Sequence, residues 1–423
     1  MSSEIHLGSL TLPMHDDRER FPFADRVLFT AADRPNTDTL PVLSDPAADH
    51  LDPVLAARRD DVEEKHRRVS GFLDQNGLDA VVLGRADSLA WFTSGGDLGQ
   101  CSIGGDLGSV VLFVNRNSRA IICDNVQSAR VFEEELAGLG FQLKERPWHE
   151  DSARVLAELG HNKRIATDGG AGGCPWPDLS AKLRLVRSEL TRVERQRMRE
   201  LGRSLTLAVE ATCRNFRPGE TEADLVGHLA HRLLREGVVP VDVRVAGDDR
   251  LDRYRQPMFK SAPIERRATI AAVGRRHGLC ASVTRIVSFG PVPEDVRAAH
   301  GLAAMIDATC IYFSRPGETV GGVFRRARRI FEKFDRAAEW TLDYQGALIA
   351  YSPRELPFLP ESPYTFCANN ALRWGPSVGC TRSEDTVVID ARGYEVVTEC
   401  QVWPKMEVVV KGFPIPRSGI LER

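Results

Sequence analysis

Two adjacent carboxylates, Glu384 and Asp385 in the segment TRSEDTVVI, are the first candidates for acid–base chemistry. Successive side chains of a β-strand point to opposite faces, so only one of the two can serve a site on one side of a sheet. A carboxylate buried in such a site is suited to general acid or base work, because burial raises its pKa. The alternative is a structural ion pair with Arg285 or Arg382.

The segment YSPRE supplies three further candidates, Tyr351, Arg354 and Glu355. A guanidinium group beside a cavity can bind a substrate carboxylate through two parallel hydrogen bonds. The alternative for Arg354 is a salt bridge with Glu355 on the surface of a loop. The sequence leaves both hypotheses open.

Metal and thiol chemistry have little support in the sequence. His228, His231 and His300 lie on predicted helices and His277 in a predicted turn, and none shares a motif with a cysteine or a carboxylate at metal-ligand spacing. The nine cysteines are scattered singly, without a CxxC motif. This pattern is typical of reduced thiols in a cytoplasmic protein. We therefore expect no metal and no other cofactor.

The composition sets limits on the class of protein. The chain has 423 residues, of which 42% are hydrophobic and 27% charged, as in a protein of two or three globular domains. A net charge of −3 does not suggest a nucleic-acid partner. The sequence contains neither an apolar run of about 18 residues nor the residue order of a signal peptide, so we expect no membrane association.

The chain divides into three segments by its residue patterns. Residues 1–60 are rich in Pro, Asp and Arg with little periodicity, and predict an extension or arm. Alternating helical and strand patterns over 61–183 predict a small α/β domain. Residues 184–423 contain long helices with strand-like segments between and after them, and predict a second domain.

The five residues RPGET occur twice, at Arg217–Thr221 and at Arg315–Thr319. Each copy follows one helical pattern and precedes another, and its threonine is placed to cap the second helix. Coincidence is the alternative, since a helix stop followed by Gly and a capping Thr is common turn chemistry. Because the flanking helices match as well, we interpret the repeat as an internal duplication.

These features resemble the pita-bread family of methionine aminopeptidases, Xaa-Pro aminopeptidases, prolidases and creatinase. The resemblance covers roughly residues 61–410 and leaves the extension outside. It implies an α+β fold, with a creatinase-like N-terminal α/β domain over 61–183 followed by an internally duplicated pita-bread catalytic-type domain over 184–423. A fold by itself does not decide function.

The resemblance also implies where metal ligands should lie. The family's peptidases hold two divalent ions with two Asp, one His and two Glu side chains, which activate a bridging water. The matching positions in this chain are Ala272, Ser282, Tyr344, Gly375 and Glu384. Only Glu384 keeps the ligand type, and one carboxylate cannot hold a metal pair. The resemblance therefore implies a divergent, pseudo-metallopeptidase member that works without metal.

Proton transfer is altered as well. The family's shuttle histidine precedes the first Asp position by about sixteen residues, where Gln256 stands here, and an amide cannot shuttle protons. We expect Glu384 and Tyr344 to face one cavity, where burial without cations raises the pKa of the carboxyl group and makes it a proton carrier near neutral pH. Both are the predicted catalytic residues. The alternative for Tyr344 is a core aromatic with a satisfied hydroxyl.

Two hypotheses of function remain. The first is a metal-independent enzyme of the creatinase type that hydrolyses, eliminates or rearranges at a C–N bond of a small polar substrate. The second is a non-catalytic pseudo-peptidase that binds a protein or a small ligand, as the histone-binding and ribosome-associated members of the family do. Retained ionisable residues favour the first, and the missing ligands and shuttle histidine favour the second.

The predicted substrate-binding residues extend beyond the family's ligand positions. They are Gln256, Ser282, Arg285, Tyr351, Arg354, Glu355 and Trp91. In creatinase-like dimers the loop that matches the Trp91 segment reaches the cavity of the partner subunit, and plain packing is the alternative for this residue. We expect a cytoplasmic homodimer in which the arm can wrap a neighbouring subunit.

Overall fold

The computed structural model describes residues 52–98, 107–170 and 175–423. Of the predicted 1–60 extension, residues 1–51 lie outside the described residues, whereas the first helix already begins at Pro53. Asp52 caps this helix by accepting a hydrogen bond from the backbone N–H of Val54, and Gly77 ends it at a φ of 63°. Residues 52–423 form one unit. The predicted boundary at residue 183 stays a prediction.

The first part of this unit is an α/β arrangement. Its helices are α1 (Pro53–Asn76), α2 (Ala86–Phe92), α3 (Ser128–Arg130), α4 (Ser152–Gly160) and α5 (Ser180–Val186), and a π-helical turn at Val131–Glu135 continues α3. Its strands are β1 (Ala80–Arg85), β2 (Leu107–Asn115), β3 (Arg119–Asp124), β4 (Gln142–Arg146) and β5 (Ile165–Thr167). They form one sheet in the order β4-β3-β2-β1-β5, with β1–β2 and β2–β3 antiparallel and the outer pairs parallel.

The second part carries five α-helices and thirteen strands among the described residues. The helices are α6 (Arg192–Asn215), α7 (Glu222–Arg235), α8 (Asp249–Arg253), α9 (Glu294–Phe313) and α10 (Val320–Lys333). The strands are β6 (Val239–Gly247), β7 (Arg267–Arg276), β8 (Leu279–Ser288), β9 (Gly346–Leu348), β10 (Leu356–Pro357), β11 (Ala371–Trp374), β12 (Ser377–Val378), β13 (Thr381–Arg382), β14 (Asp385–Ile389), β15 (Tyr394–Val396), β16 (Lys405–Val410), β17 (Phe413–Ser418) and β18 (Ile420–Glu422).

Two larger sheets organise this second part. One has the order β18-β8-β7-β6, and the other has the order β10-β9-β11-β14-β15. The pairs β12–β13 and β16–β17 are separate two-stranded sheets. Helices α6 and α7 pack on the first large sheet, whereas α9 and α10 share a buried apolar cluster with the second.

The RPGET repeat corresponds to a repeated structure. Thr221 caps α7 and Thr319 caps α10, each by accepting a hydrogen bond from a backbone N–H in the first turn of its helix. Gly219 and Gly317 both have a φ of 90°, a conformation that L side chains rarely adopt. Their backbone N–H groups donate to carbonyl oxygens of matching later segments, at 2.8 Å for Gly219 and 2.9 Å for Gly317. The two halves therefore repeat the junction in backbone geometry as well as in sequence.

No helix in the described ranges is both long enough and apolar enough to cross a membrane.

Candidate functional site

A cavity of about 180 Å³ lies between the two large sheets of the second part. All five positions that match the family's metal ligands line it, namely Ala272, Ser282, Tyr344, Gly375 and Glu384. Gln256 and Arg354 line the same cavity. The structure thus brings together residues that are up to 128 positions apart in the chain, from Gln256 to Glu384.

Strand pairing explains why these residues meet. β7 and β8 are antiparallel neighbours with Val273 opposite Ser282, which places Ala272 and Ser282 on adjoining strands. β11 and β14 are antiparallel neighbours with Trp374 opposite Asp385, so Gly375 and Glu384 lie side by side where these strands meet the cavity. The two halves of the duplicated fold each contribute one such pair of positions.

Glu384 is held by two arginines rather than left without counter-ions. Arg373 Nη1 donates to one carboxylate oxygen at 2.9 Å, and the Ser282 hydroxyl donates to the same oxygen. Arg382 Nη1 lies 3.4 Å from the other oxygen. Burial by itself would raise the pKa of this carboxyl group, but the charges of Arg373 and Arg382 outweigh it and lower the pKa to about 2.

The expectation of a raised pKa for Glu384 is therefore wrong, because the charges of Arg373 and Arg382 outweigh the effect of burial. With its pKa lowered in this way, Glu384 is ionised at neutral pH and holds no proton to donate. The ion pair with Arg382, which the sequence left as the alternative, is present.

Asp343 is a second carboxylate behind the cavity wall, with a fully enclosed side chain, and sequence reasoning missed it. Its side chain accepts hydrogen bonds from the Arg382 guanidinium, from the Gln256 amide at 2.5 Å and from the Ser377 hydroxyl at 3.1 Å. Gln256 is thus a structural partner of an acid. The feature of the sequence that could have identified Asp343 is its position directly before Tyr344.

Arginine dominates the charge of the cavity. Five arginines and two carboxylates line it: Arg244, Arg255, Arg354, Arg373, Arg382, Asp242 and Glu384. Two of the arginines have their own acids, since Arg244 pairs with Asp242 at 2.7 Å and Arg255 pairs with Glu339. Two more share Glu384, and Arg382 also contacts the acid behind it, Asp343.

Arg354 differs from the other four arginines. Across the described ranges no carboxylate pairs with its guanidinium group, which instead lies 4.2 Å from the ring centroid of Tyr344. The alternative of a salt bridge with Glu355 is not formed, because Glu355 binds Arg187. Arg354 therefore presents an unneutralised positive charge at the cavity.

Tyr344 lies at the mouth of the cavity and not beside Glu384 in the interior. Tyr344 is 62% exposed, whereas Glu384 is 3% exposed. Among the described residues its hydroxyl has no hydrogen-bond partner, and only its backbone N–H is bonded, to Asp343. The expected burial of the phenol next to the carboxylate is not observed.

Asp385 faces away from the cavity, as the alternation along a strand predicted. It accepts hydrogen bonds from Arg285 at 3.0 Å and from Arg417 at 2.7 Å, on the buried side of the sheet. Arg285 is also 3.8 Å from Glu210 and is fully enclosed. The structure does not bring Arg285 to the cavity.

Two other predicted substrate-binding residues belong to buried ionic clusters. Glu355 forms a bidentate pair with Arg187, with distances of 3.0 and 2.9 Å. The Tyr351 hydroxyl donates to Glu194 at 2.6 Å and lies 3.4 Å from the ammonium group of Lys65. The contacts of Tyr351 join α1 and α6 to the loop after β9, and the pair of Glu355 with Arg187 joins α2 to the same loop. Neither Tyr351 nor Glu355 lines the cavity.

Trp91 is packed inside its own chain. It is 1% exposed and lies edge-on to Phe92 at a centroid distance of 6.0 Å, within the main apolar cluster. This position corresponds to the packing alternative, since a buried ring presents no surface to the cavity of a partner subunit.

A pair of divalent ions does not fit this set of side chains. Both oxygens of Glu384 already accept hydrogen bonds from arginines, whose charge repels a metal ion. Within the part of the chain that the structure describes, no three His, Cys, Asp or Glu side chains are grouped so as to hold a metal ion. Arg373 and Arg382 supply the cationic charge beside Glu384.

Comparison with solved structures identifies the fold. The X-Pro aminopeptidase from Thermotoga maritima MSB8 is 18% identical, with a TM-score of 0.66 over 85% of this chain and 99% of that one. The dipeptidase PepE from Mycobacterium ulcerans is 17% identical, with a TM-score of 0.68 over 81% and 96%. The N-terminal domain of the FACT complex subunit SPT16 from Cicer arietinum is 11% identical, with a TM-score of 0.61 over 81% and 97%.

No protein-family model matches the chain, and no curated protein matches it significantly. The structural likeness nevertheless confirms the predicted fold class, a mixed α+β pita-bread fold with an N-terminal domain and a catalytic-type domain. At these identities the likeness concerns the fold, and proteins of different function share it.

Proposed function

We propose that the cavity is a metal-independent binding pocket for a small molecule that carries a carboxylate group, and that the protein is a non-catalytic relative of the peptidases that share its fold. The observation that carries this proposal is the guanidinium group of Arg354 at the cavity, which pairs with no carboxylate among the described residues. A planar guanidinium matches a carboxylate with two parallel hydrogen bonds. The excess of arginines over carboxylates in the lining favours an anion in the same way.

The proposed absence of a metal requirement rests on the contacts of Glu384. Arg373 and Arg382 neutralise this carboxylate, and each is mostly buried, with side-chain exposures of 15% and 14%. A cation would have to displace both arginines before it could reach the oxygens. Elemental analysis of the purified protein is expected to give far less than one Mn, Zn or Co per chain. A stoichiometric content of about two per chain would contradict this part of the proposal.

Non-catalytic binding agrees best with the state of the ionisable groups. General acid–base catalysis needs a group that exchanges a proton near the working pH. Glu384 has a pKa of about 2, and no histidine is among the described residues that line the cavity. The shuttle position is Gln256, whose amide is bonded to Asp343.

A titration with N-acetylleucine and with its carboxamide tests the pocket. Charge-assisted hydrogen bonds are worth about 1.5–3 kcal/mol, so the carboxylate is expected to bind about tenfold or more tightly than the amide in isothermal calorimetry. Arg354→Met is expected to abolish this preference. The matched control is Arg325→Met on the exposed face of α10, which is expected to leave it unchanged. Equal affinities for acid and amide in the unmodified protein would refute the proposal.

Metal-independent cleavage of a C–N bond is the second candidate function, and the exposed Tyr344 hydroxyl favours it. In a hydrolysis, water adds to the carbon, the C–N bond breaks, the phenol gives its proton to the leaving nitrogen, and the proton from water restores the phenol. Incubation of a metabolite extract in ¹⁸O-labelled water would then yield a labelled product that Tyr344→Phe fails to form. Labelled product from the unmodified protein would show that the pocket is catalytic.

A further inference from the structure

The lining of the cavity has an apolar side next to Arg354. Tyr254 and Leu359, together with Tyr344, are large side chains that line the cavity and are nevertheless 50%, 61% and 62% exposed. Pro257 and Phe358 lie on the same lining. Isolated exposed apolar residues are ordinary on protein surfaces, but several on the lining of one cavity are typical of a ligand site.

Arg354 and Leu359 flank the two-residue strand β10, so the unpaired charge and the exposed apolar surface belong to one short segment. The guanidinium lies on the face of the Tyr344 ring, and the rest of that ring remains exposed. A ligand whose carboxylate reaches Arg354 therefore has apolar side chains on the same lining, and the Arg250 guanidinium that lies 5.3 Å from the Tyr254 ring centroid is paired with Glu222. The remaining arginines of the lining have carboxylate partners.

The apolar side chains near Arg354 indicate the class of molecule that fills the pocket. This inference rests on the pocket proposed above. We propose that the ligand is an amphipathic monocarboxylate, with its carboxylate on Arg354 and an aliphatic tail along Tyr254 and Leu359. The charge complementarity comes from Arg354, whose guanidinium has no carboxylate partner within the described part of the chain and matches one negative charge. The tail removes from water the apolar surface that the cavity mouth leaves exposed. A cavity of about 180 Å³ is large enough for such a molecule, since an engineered apolar cavity of about 150 Å³ admits benzene.

The test is a series of straight-chain acids with increasing tail length. Acetate, butanoate, hexanoate and octanoate are titrated into the full-length protein by calorimetry. If each methylene is buried against the apolar side, the affinity is expected to rise about two- to fourfold per added methylene. The amides of the longer acids are expected to bind at least about tenfold more weakly, because the Arg354 contact is lost.

Leu359→Ser tests the location of the tail, and Leu234→Ser is its matched control. Leu359 is 61% exposed on the cavity lining, and Leu234 is 44% exposed on α7, outside the lining. We expect Leu359→Ser to reduce the gain in affinity per methylene while leaving acetate binding unchanged. We expect Leu234→Ser to change neither quantity. Thermal unfolding checks that both variants are folded.

The outcomes separate the two proposals. If acetate binds through Arg354 but longer acids bind no tighter, the pocket stands and the amphipathic ligand is wrong. A length-dependent gain that Leu359→Ser does not reduce also refutes it, since the tail then lies elsewhere. If no acid binds more tightly than its amide, both proposals fail together.

Discussion

At the scale of single residues, Glu384 carries the most constrained charge in the cavity. Two arginines and one serine are bonded to a carboxylate that is 3% exposed. Removing the charge leaves both guanidinium groups in a poorly solvated place without a full counter-charge, and breaking a buried ion pair in this way costs about 3 kcal/mol or more. We expect Glu384→Gln to lower the free energy of unfolding by about that amount in urea titrations at pH 7.

Glu361→Gln is the control for this substitution, because Glu361 is exposed and has no ion pair among the described residues. Its expected effect on the free energy of unfolding lies within about 0.5 kcal/mol. A comparable loss in both variants would show that the measurement reports the loss of any carboxylate charge and not the ion pairs of Glu384.

The pH dependence gives a second check on the same ion pairs. The folded-state pKa of Glu384 is about 2, below its ordinary value of 4.5, so its stabilising effect is complete above pH 4.5 and is lost as the pH falls toward 2. Glu384→Gln should lack this acid-side loss. An acid profile of unfolding that is unchanged in the variant would contradict the ion pairs.

The pKa of Asp307 on α9, in a second buried network, is raised, whereas that of Glu384 is lowered. Arg417 pairs with Asp307 and Asp385, Arg285 pairs with Asp385 and lies 3.8 Å from Glu210, and all of these side chains are buried. Burial raises the pKa of Asp307 to about 7 in spite of the ion pair with Arg417. The folded state therefore holds a proton that the unfolded chain releases near pH 4.

The consequence is a contribution to stability that is complete below about pH 4 and is lost as the pH rises toward 7. Asp307→Asn removes this contribution, so its stability relative to the unmodified protein is expected to rise over that range, by at most about 1.4 kcal/mol per pH unit. Urea unfolding at pH 4, 5, 6 and 7 measures the difference. Asp60→Asn on the exposed face of α1 should show no such trend. A difference that does not vary with pH would contradict the protonated state.

The sequence predicts which residues line the site better than it predicts the contacts that those residues make. The five positions matched to metal ligands do line one cavity, because they follow from a recognisable order of strands and turns. The state of Glu384 was not predictable in the same way. Arg373 is 11 positions away on a different strand, and only the pairing of β11 with β14 brings its guanidinium to the carboxylate.

At the scale of elements, the RPGET junction determines where each half of the duplicated domain turns. Gly219 and Gly317 adopt the same positive φ of 90°. Among the described residues, no atom lies close enough to obstruct a methyl group at Gly317, and only a distant one lies near such a group at Gly219. The cost of a side chain there is therefore conformational rather than steric with respect to neighbours. We expect Gly219→Ala and Gly317→Ala each to lower the free energy of unfolding by about 1–2 kcal/mol.

Gly227→Ala is the matched control for these two substitutions. Gly227 lies within α7, has open space around its α-carbon and is exposed. Alanine at an exposed position inside a helix stabilises it by up to about 1 kcal/mol relative to glycine. The same chemical change should therefore have opposite signs at the junctions and in the helix. Equal effects in chemical denaturation would show that the junction geometry carries no cost.

Elements could be predicted where the signal is local. Thr221 and Thr319 identified the starts of α7 and α10. The order of strands in the sheets was not predictable from such signals. Strand β18, at the end of the chain, pairs in parallel with β8, and this contact depends on the whole fold rather than on nearby residues.

At the scale of the whole molecule, the resemblance implies that the creatinase-like N-terminal domain is a dimerisation element, and we propose a homodimer on that basis. Light scattering at micromolar concentration is expected to give about twice the chain mass of 46.9 kDa. Since Trp91 is buried in its own chain, Trp91→Phe should leave the measured mass unchanged. A monomeric mass would refute the homodimer.

Within one chain, buried ion pairs connect the first elements to the second part. The ammonium group of Lys65 on α1 lies 2.6 Å from Asp61 and 2.7 Å from Glu194 on α6, and it is fully enclosed. Arg187 binds Asp87 on α2 at 2.8 Å and Glu355 after β9 at 2.9 Å. Because both clusters have partners in both parts, opening either part exposes charges that the other part neutralises. Residues 52–423 are therefore expected to unfold in a single transition.

Lys65→Met tests this coupling. It leaves Asp61 and Glu194 as buried carboxylates without their cation, at an expected cost of about 3–5 kcal/mol. Lys144→Met on the exposed strand β4 is the control, with an expected change within about 0.5 kcal/mol. Far-ultraviolet circular dichroism and tryptophan fluorescence should give one common urea midpoint for each protein, shifted to lower urea only in Lys65→Met. If the two probes separate in the unmodified protein, the parts unfold independently and the buried clusters do not couple them. If they separate only in Lys65→Met, the ammonium group is itself the link that makes the unfolding cooperative.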